Sequence, residues 1–235
     1  MISTRDFIDR LCALDTSASD TLRSWVIDLD VPLLLTLLSS TPFLLIATSD
    51  GPVSTVAETD QAADFSRQTG TFDFHTDGLY LNRLPDFVAL HCVHPGVRGT
   101  VTGVSDTVLA LQRINPMHLQ VLKELELVYV GRDGTHTSRP LVRHHPRSGD
   151  IVLNLGARAF IRPRSPFVTL RQQAAALNVL FRELDDAVVL RHRWTSGTLL
   201  FFDNNRYVHQ RLAVATDHQR TLLRFWLSLA VPPAA

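Results

Sequence analysis

Short runs of alternating apolar and polar residues cover most of the chain, whereas two segments near the N-terminus show helical spacing. Apolar residues recur three or four positions apart in 4–13 and in 19–27, which predicts two amphipathic helices. The apolar run at 31–47 is broken by prolines and by Ser-Ser-Thr-Pro at 39–42. It is therefore too short and interrupted to span a bilayer, and it predicts a short helix, a turn and a buried strand at 43–47.

The pattern after residue 84 predicts many short strands with three helices among them. The strands are expected at 85–92, 100–105, 127–130, 141–145, 151–155, 188–194, 198–202, 207–214 and 222–229, and the helices at 106–112, 116–125 and 168–184. This arrangement favours a mainly β fold with flanking helices, namely a double-sheet jelly roll. Because the chain contains no repeat, low-complexity tract or convincing linker, we predict a single domain over 1–235.

A long polar stretch at 48–71 shows little periodicity. Loops of this length in compact domains are usually lids or disordered segments. Because this one runs directly into His75, we favour a lid loop over 51–72, preceded by N-terminal helices and a first strand in 1–50.

Composition narrows the class of protein. At 235 residues the chain fits one domain, and 45% hydrophobic residues suffice for a real core. A formal net charge of zero argues against a nucleic-acid binder, which would be basic. Cys12 and Cys92 are too few for a disulfide framework, and the N-terminus lacks the features of a signal peptide. We therefore expect a cytoplasmic protein without membrane association.

The candidate chemistry centres on His75 and Asp77, which stand two residues apart. On an extended strand such residues project from the same face, so that an imidazole and a carboxylate could bind one metal ion. His209, far downstream, would complete a set of two histidines and one carboxylate, the set that binds non-haem Fe(II) and leaves one face of the ion open.

Each of these residues also has a plainer interpretation. His75 and Asp77 could be a surface pair that merely hydrogen-bonds, and His209 could be a satisfied core histidine. Asn204 and Asn205 suggest a turn by composition. Other residues are interpreted as structural, core or surface positions: His91, His94, His136, His144, His145, His192, His218, Trp194, Phe201 and Phe202.

Four sequence segments between residues 72 and 229 occur in an order and spacing that can be compared with known families. They are Phe74-His75-Thr76-Asp77 with 85–90, Gly99-Thr100-Val101-Thr102 with Asp106, Trp194 and Gly197 with Phe202-Asp203-Asn204 leading to Arg206 and His209, and Arg220-Thr221-Leu222-Leu223-Arg224. In these pieces the chain resembles the taurine dioxygenase / clavaminate synthase-like group of Fe(II)- and 2-oxoglutarate-dependent oxygenases. The resemblance implies a double-stranded β-helix core of the cupin-like kind.

The resemblance also implies a set of cofactors. His75, Asp77 and His209 match the iron ligands, and Fe(II), 2-oxoglutarate and O2 would be the cofactor and cosubstrates, with release of succinate and CO2. Family members that halogenate leave the carboxylate position empty. Because Asp77 fills it, hydroxylation or desaturation is favoured over halogenation.

Three further positions match cosubstrate and substrate contacts of the family. Arg220 corresponds to the arginine that binds the distal carboxylate of 2-oxoglutarate, and Thr102 to the hydroxyl that assists it. Arg224 corresponds to a second arginine, which in several members meets an acidic group of the substrate. Thr100 stands where the family usually has a second glycine, which leaves open whether Thr100 or Thr102 reaches the cosubstrate. Thr102 and both arginines could instead be structural or solvated residues.

The leading hypothesis is a 2-oxoglutarate-dependent dioxygenase that hydroxylates or desaturates a small molecule. The expected substrate is an amino acid, free or carrier-bound, or a related intermediate of natural product biosynthesis. The alternatives are a cupin-like metal enzyme that uses no 2-oxoglutarate, and a non-catalytic jelly-roll protein that binds or senses a ligand. The sequence does not determine an oligomeric state.

Overall fold

The computed structural model describes residues 1–15, 21–47, 51–57, 71–96, 101–130, 136–212 and 220–230. The helices within these ranges are α1 Thr4–Cys12, α2 Val31–Leu38, α3 Thr107–Arg113, α4 Pro116–Lys123 and α5 Leu170–Asp186. The strands are β1 Ile2–Ser3, β2 Leu22–Asp28, β3 Phe43–Leu45, β4 Ser54–Ala57, β5 Phe72–His75, β6 Phe87–His94, β7 Val101–Asp106, β8 Leu125–Val130, β9 His136–Pro140, β10 Val142–His144, β11 Ile151–Leu153, β12 Ile161–Pro163, β13 Val188–Arg193, β14 Thr198–Asp203, β15 Tyr207–Leu212 and β16 Thr221–Leu229. None of the described helices is long and apolar enough to cross a bilayer.

Two sheets dominate the fold. The larger sheet has the strand order β1-β2-β14-β6-β16-β3, with β4 also paired to β16, and the smaller has the order β13-β7-β15-β5. All of their pairings are antiparallel except that of β1 with β2. Two minor sheets, β10-β11 and β12-β8-β9, lie beside them. The mainly β, jelly-roll fold predicted from the pattern is confirmed.

The central strands of the larger sheet are apolar on both faces, because successive side chains point to opposite sides. One set forms a core with the smaller sheet: Val88, Leu90, Leu200, Phe202, Leu222 and Trp226 with Val104, Trp194 and Tyr207. The alternate set forms a core with α1 and α2: Phe87, Ala89, Leu199, Phe201 and Phe225 with Phe7, Ile8, Leu11, Leu34 and Leu38. A third core joins α3, α4 and α5 to β8 and β12.

The predicted helix at 19–27 is wrong. Residues 16–20 lie outside the described ranges, and Leu22–Asp28 is strand β2, which pairs with β1 on one side and β14 on the other. Leu22, Trp25 and Val26 have helical spacing, but the hydrogen bonds and contacts offered by two neighbouring strands outweigh that local preference. The predicted helix near the N-terminus and the helix, turn and strand of 31–47 agree with α1, α2 and β3.

The predicted lid is only partly within the described chain. Its first part contains β4, which pairs with β16 and is therefore a strand rather than a loop. Residues 58–70 lie outside the described ranges, so the lid remains a prediction, as does the single-domain boundary at 1–235.

Candidate metal centre and active site

His75 and His209 face each other across two neighbouring strands of the smaller sheet. His75 ends β5, and in the antiparallel pairing with β15 its partner is His209. Directly opposite side chains lie on the same face of a sheet, and here the two ring centroids are 4.1 Å apart. Asp77 follows β5 by two residues, and its Oδ1 lies 3.6 Å from Nε2 of His75. One ligand atom from each of the three residues falls within 4.8 Å of the others.

The Asp77 backbone and carboxylate are held by neighbours from distant parts of the chain. Asn204 Oδ1 accepts a hydrogen bond from the Asp77 N–H at 3.0 Å, and Asn204 Nδ2 donates to the Asp77 carbonyl at 3.0 Å. The indole N–H of Trp226 donates to Oδ2 of the carboxylate at 2.9 Å. Thr76 is fixed by two hydrogen bonds with the backbone of Leu155. These contacts leave Oδ1 of Asp77 directed toward the histidines.

The electrostatics of the triad suit a divalent cation. Burial alone would raise the pKa of Asp77, but Arg224, His209 and His75 outweigh it and lower that pKa to about 2. Burial, reinforced by the charge of a protonated His75, lowers the pKa of His209 to about 3. Burial also lowers the pKa of His75. At neutral pH the site therefore presents one carboxylate and two neutral imidazoles, the protonation states that a metal ion requires.

A small cavity of about 50 Å³ adjoins the triad. This cavity is lined by all six candidate site residues that the sequence predicts: His75, Asp77, Thr102, His209, Arg220 and Arg224. Arg220 is only 3% exposed, so its guanidinium does not face bulk solvent. Thr102 is buried, and its hydroxyl accepts a hydrogen bond from the indole N–H of Trp194 at 2.9 Å. Thr100 lies outside the described ranges.

A much larger cavity of about 540 Å³ reaches His75 and Asp77 as well. Its walls are rich in aromatic side chains, namely Phe72, Phe74, Tyr80, Tyr129, Phe160 and Trp226. Tyr129 and Phe160 pack with ring centroids 4.8 Å apart. Pockets of about 300–1,000 Å³ with mainly apolar walls are typical of small-molecule sites.

Arg224 lines both cavities. Its Nε donates a hydrogen bond to the Ser54 hydroxyl at 3.2 Å, its Nη1 lies 3.6 Å from Oδ1 of Asp77, and its guanidinium stacks 4.4 Å over the Trp226 ring. This residue is therefore placed to contact a molecule in either cavity.

Several residues of the site were missed by sequence reasoning. The composition at Asn204 predicts only a turn, yet this residue is 1% exposed and its side chain hydrogen-bonds to Asp77. Trp226 and Tyr129 were not singled out, because an aromatic residue in a strand is indistinguishable by pattern from a core residue. The one available signal was the polar pair Asn204-Asn205 between two strongly apolar strands.

Comparison with known proteins identifies the family. A family model described as the taurine catabolism dioxygenase TauD, TfdA family matches residues 33–226. The chain belongs to the TauD/TfdA family. The match covers the triad and both arginines, and the family's core is the double-stranded β-helix that the two sheets form.

Two relatives that are similar in sequence to this TauD/TfdA chain have names that refer to isonitriles. Tyrosine isonitrile desaturase of Pseudomonas aeruginosa is 31% identical over 190 residues, which is 74% of this chain and 65% of that protein. The 3-((Z)-2-isocyanoethenyl)-1H-indole synthase of Fischerella ambigua is 27% identical over 172 residues, 66% of this chain and 62% of that protein. The chain thus matches slightly less than two thirds of the length of each.

A solved structure described as PvcB, an Fe, alpha-ketoglutarate dependent oxygenase from an isonitrile synthetic pathway, has the same fold. It superimposes with a TM-score of 0.75 at 25% identity, covering 96% of this chain and 81% of PvcB. The donor set of the TauD/TfdA chain fits iron, since two neutral imidazoles and a carboxylate with an open cavity beside them are the ligands that non-haem Fe(II) prefers.

Proposed function

We propose that this chain is an Fe(II)- and 2-oxoglutarate-dependent dioxygenase in which His75, Asp77 and His209 hold the iron. The observation that carries the proposal is the convergence of these three ligands with a buried arginine, Arg220, on one cavity. Iron and O2 would supply the oxidative decarboxylation of 2-oxoglutarate to succinate and CO2 and the oxidation of a substrate C–H bond.

Arg220 binds the distal carboxylate of 2-oxoglutarate in this proposal. A guanidinium pairs with a carboxylate through two parallel hydrogen bonds, and burial strengthens the pairing. Thr102, which lines the same cavity, contributes its hydroxyl. That hydroxyl already accepts from Trp194, so its own proton is directed elsewhere and is available to an anionic cosubstrate.

The substrate occupies the larger cavity. Its aromatic walls favour a flat apolar group, and Arg224 offers a cation for a carboxylate near the metal. We therefore propose a free small molecule derived from an aromatic amino acid. The names of the two relatives support this class of substrate, because one name refers to a tyrosine isonitrile and the other to an indole. The reaction is hydroxylation or desaturation, because Asp77 occupies the position that halogenation would need vacant.

The experiment is an anaerobic titration of the purified chain with Fe(II) and then 2-oxoglutarate. Chelation of the cosubstrate by bound iron should produce a weak charge-transfer band in the visible. Oxygen is then admitted with a panel of aromatic amino acids and their isonitriles, with taurine and asparagine as comparators, and succinate is measured.

The outcomes separate the functions. A band with substrate-dependent succinate supports the proposal, and iron binding without any band indicates a metal enzyme that does not use 2-oxoglutarate. A band without succinate above the no-substrate level for any panel member would favour a binding or sensing protein. Failure to bind iron at all would refute the metal centre.

A further inference from the structure

The turn between β14 and β15 joins the two main sheets, because β14 belongs to the larger and β15 to the smaller. Its first residue, Asn204, is 1% exposed. All three side-chain hydrogen bonds of this amide reach residues more than a hundred positions earlier: the Asp77 N–H, the Asp77 carbonyl and the Pro85 carbonyl, each at 3.0 Å. Five residues after Asn204 comes His209, another of the candidate metal ligands.

The turn does not need this side chain for its own shape. Oδ1 of Asp203 accepts from the Asn205 N–H at 2.8 Å, and the Asp203 carbonyl accepts from the Arg206 N–H at 3.3 Å. The backbone N–H of Asn204 donates to the Asp86 carbonyl at 2.9 Å. The Asn204 side-chain amide therefore hydrogen-bonds to the segment that carries Asp77 and not to the turn itself.

The segment in question, residues 77–85, is tied at both ends by the one amide. Within it Gly78 has a φ of +72°, and a Cβ at that position would lie 2.6 Å from Cδ of Pro85. The two ends of the segment are thus packed closely, and Tyr80 between them lines the larger cavity. Loss of the amide would remove hydrogen bonds at both ends of the segment at once.

The turn that carries Asn204 is itself held in place by buried contacts of Asp203. The Asp203 carboxylate is fully buried, 3.1 Å from Nε2 of His145, and it accepts a hydrogen bond from Arg147 as well. A buried charge that is paired on two sides resists displacement, because moving it would leave an uncompensated charge.

We propose that Asn204 is a positioning residue for the metal site: its amide fixes Asp77 relative to His209. The inference rests on the proposed function, because it assumes that these residues bind a metal. Since Oδ1 faces an N–H and Nδ2 faces two carbonyls, neither orientation of a carboxylate could replace the amide. Partners of this kind that orient metal ligands typically change metal affinity about 10- to 100-fold when removed.

The test is a Co(II) titration of the full chain, wild type against Asn204→Ala, followed by visible absorption and thermal unfolding. Co(II) reports the geometry of its ligands without any turnover. We expect Co(II) to bind the variant about 10- to 100-fold more weakly and with an altered absorption spectrum. Asn178→Ala is the matched control, since its exposed amide on α5 accepts one hydrogen bond from Arg158 and lies outside the triad. It should bind Co(II) as the wild type does.

A purely structural role for Asn204 would give a different result. Lower thermal stability with unchanged Co(II) affinity and spectrum would overturn the proposal while leaving the proposed function intact. Wild-type chain that binds neither Co(II) nor Fe(II) would overturn both. If Asn204→Ala does not fold, Asn204→Ser is titrated instead, and the same two readouts decide.

Discussion

The two cavities beside the triad differ in size and in chemistry. The lining of the smaller cavity, about 50 Å³, is mostly polar or charged and includes Arg220 and Thr102, whereas the larger cavity, about 540 Å³, has six aromatic rings in its walls. They share Phe72, His75, Asp77 and Arg224. The difference supports the proposed function, in which 2-oxoglutarate would be bound by charge in the smaller cavity and the substrate would be bound by shape in the larger one.

The largest effect is expected where the cavities meet. Asp77→Ala removes the one carboxylate of the triad, and losing a ligand should exceed the roughly 10- to 100-fold effect of losing a residue that only orients a ligand. Metal affinity should fall on the order of 10³-fold, and the Fe(II)–2-oxoglutarate band should disappear. Asp73→Asn is the control, because its side chain is exposed and only its carbonyl contacts His75. Wild-type metal binding by Asp77→Ala would contradict a common metal site.

The next effect should be confined to the smaller cavity. Arg220→Ala removes a buried partner of the cosubstrate carboxylate, worth about 2–5 kcal/mol, so the apparent constant for 2-oxoglutarate should rise tens- to thousands-fold. The constant for Arg220→Lys should lie between those of the wild type and Arg220→Ala, because an ammonium group cannot make the two parallel hydrogen bonds of a guanidinium. Arg191→Ala, which is exposed on β13 of the smaller sheet, serves as control. An unchanged constant in the cosubstrate titration of Arg220→Ala would remove this residue from the role.

The ring of Trp226 lines the larger cavity, and its N–H contacts Asp77, a candidate metal ligand. Trp226→Phe keeps an aromatic wall and loses the hydrogen bond to the Asp77 carboxylate, a bond of the class worth about 1.5–3 kcal/mol. We expect Co(II) affinity to drop about 10- to 100-fold, with the substrate KM changed much less. The reverse pattern would mean that the ring, not the N–H, is the functional part.

The smallest effect should concern the larger cavity alone. At Gly156 a Cβ would lie 2.0 Å from the Tyr129 hydroxyl oxygen and 2.7 Å from Cδ2 of Leu127. Overpacking of this kind costs about 1–3 kcal/mol, so Gly156→Ala should displace Tyr129 and raise the substrate KM about tenfold. The constant for 2-oxoglutarate should stay the same. Adding Tyr129→Phe removes the nearest clash and should bring the substrate KM part of the way back to the wild-type value. If Gly156→Ala raises the substrate KM and the constant for 2-oxoglutarate together, the two cavities do not act separately.

Sequence reasoning located the smaller cavity better than the larger. His75, Asp77 and His209 are metal-binding residue types in a recognisable order, so their convergence could be predicted although more than 130 residues separate the first two from the third. Tyr129 could not be predicted, because nothing in an apolar strand distinguishes a ring that faces a cavity from one that faces the core. Asn204 shows a further limit, since its composition is that of a turn and only the three-dimensional contact with Asp77 reveals its other partner.

The fold was predicted unevenly for a related physical reason. The strands β6, β14 and β16 have two apolar faces and strong patterns, and they appear where expected. At β2, however, the spacing of Leu22, Trp25 and Val26 suits a helix, and only pairing with β14 decides in favour of a strand. Long-range pairing is invisible to a window of neighbouring residues.

The position of β5 has a consequence for how an ion would escape. Within the described chain β5 pairs with β15 alone, so it forms the border of its sheet. Detachment of this four-residue strand would carry away His75 and, two residues on, Asp77, so that two donors leave together. Metal loss to a chelator should then follow the rate at which amides 72–75 exchange with solvent, because one local opening governs both processes.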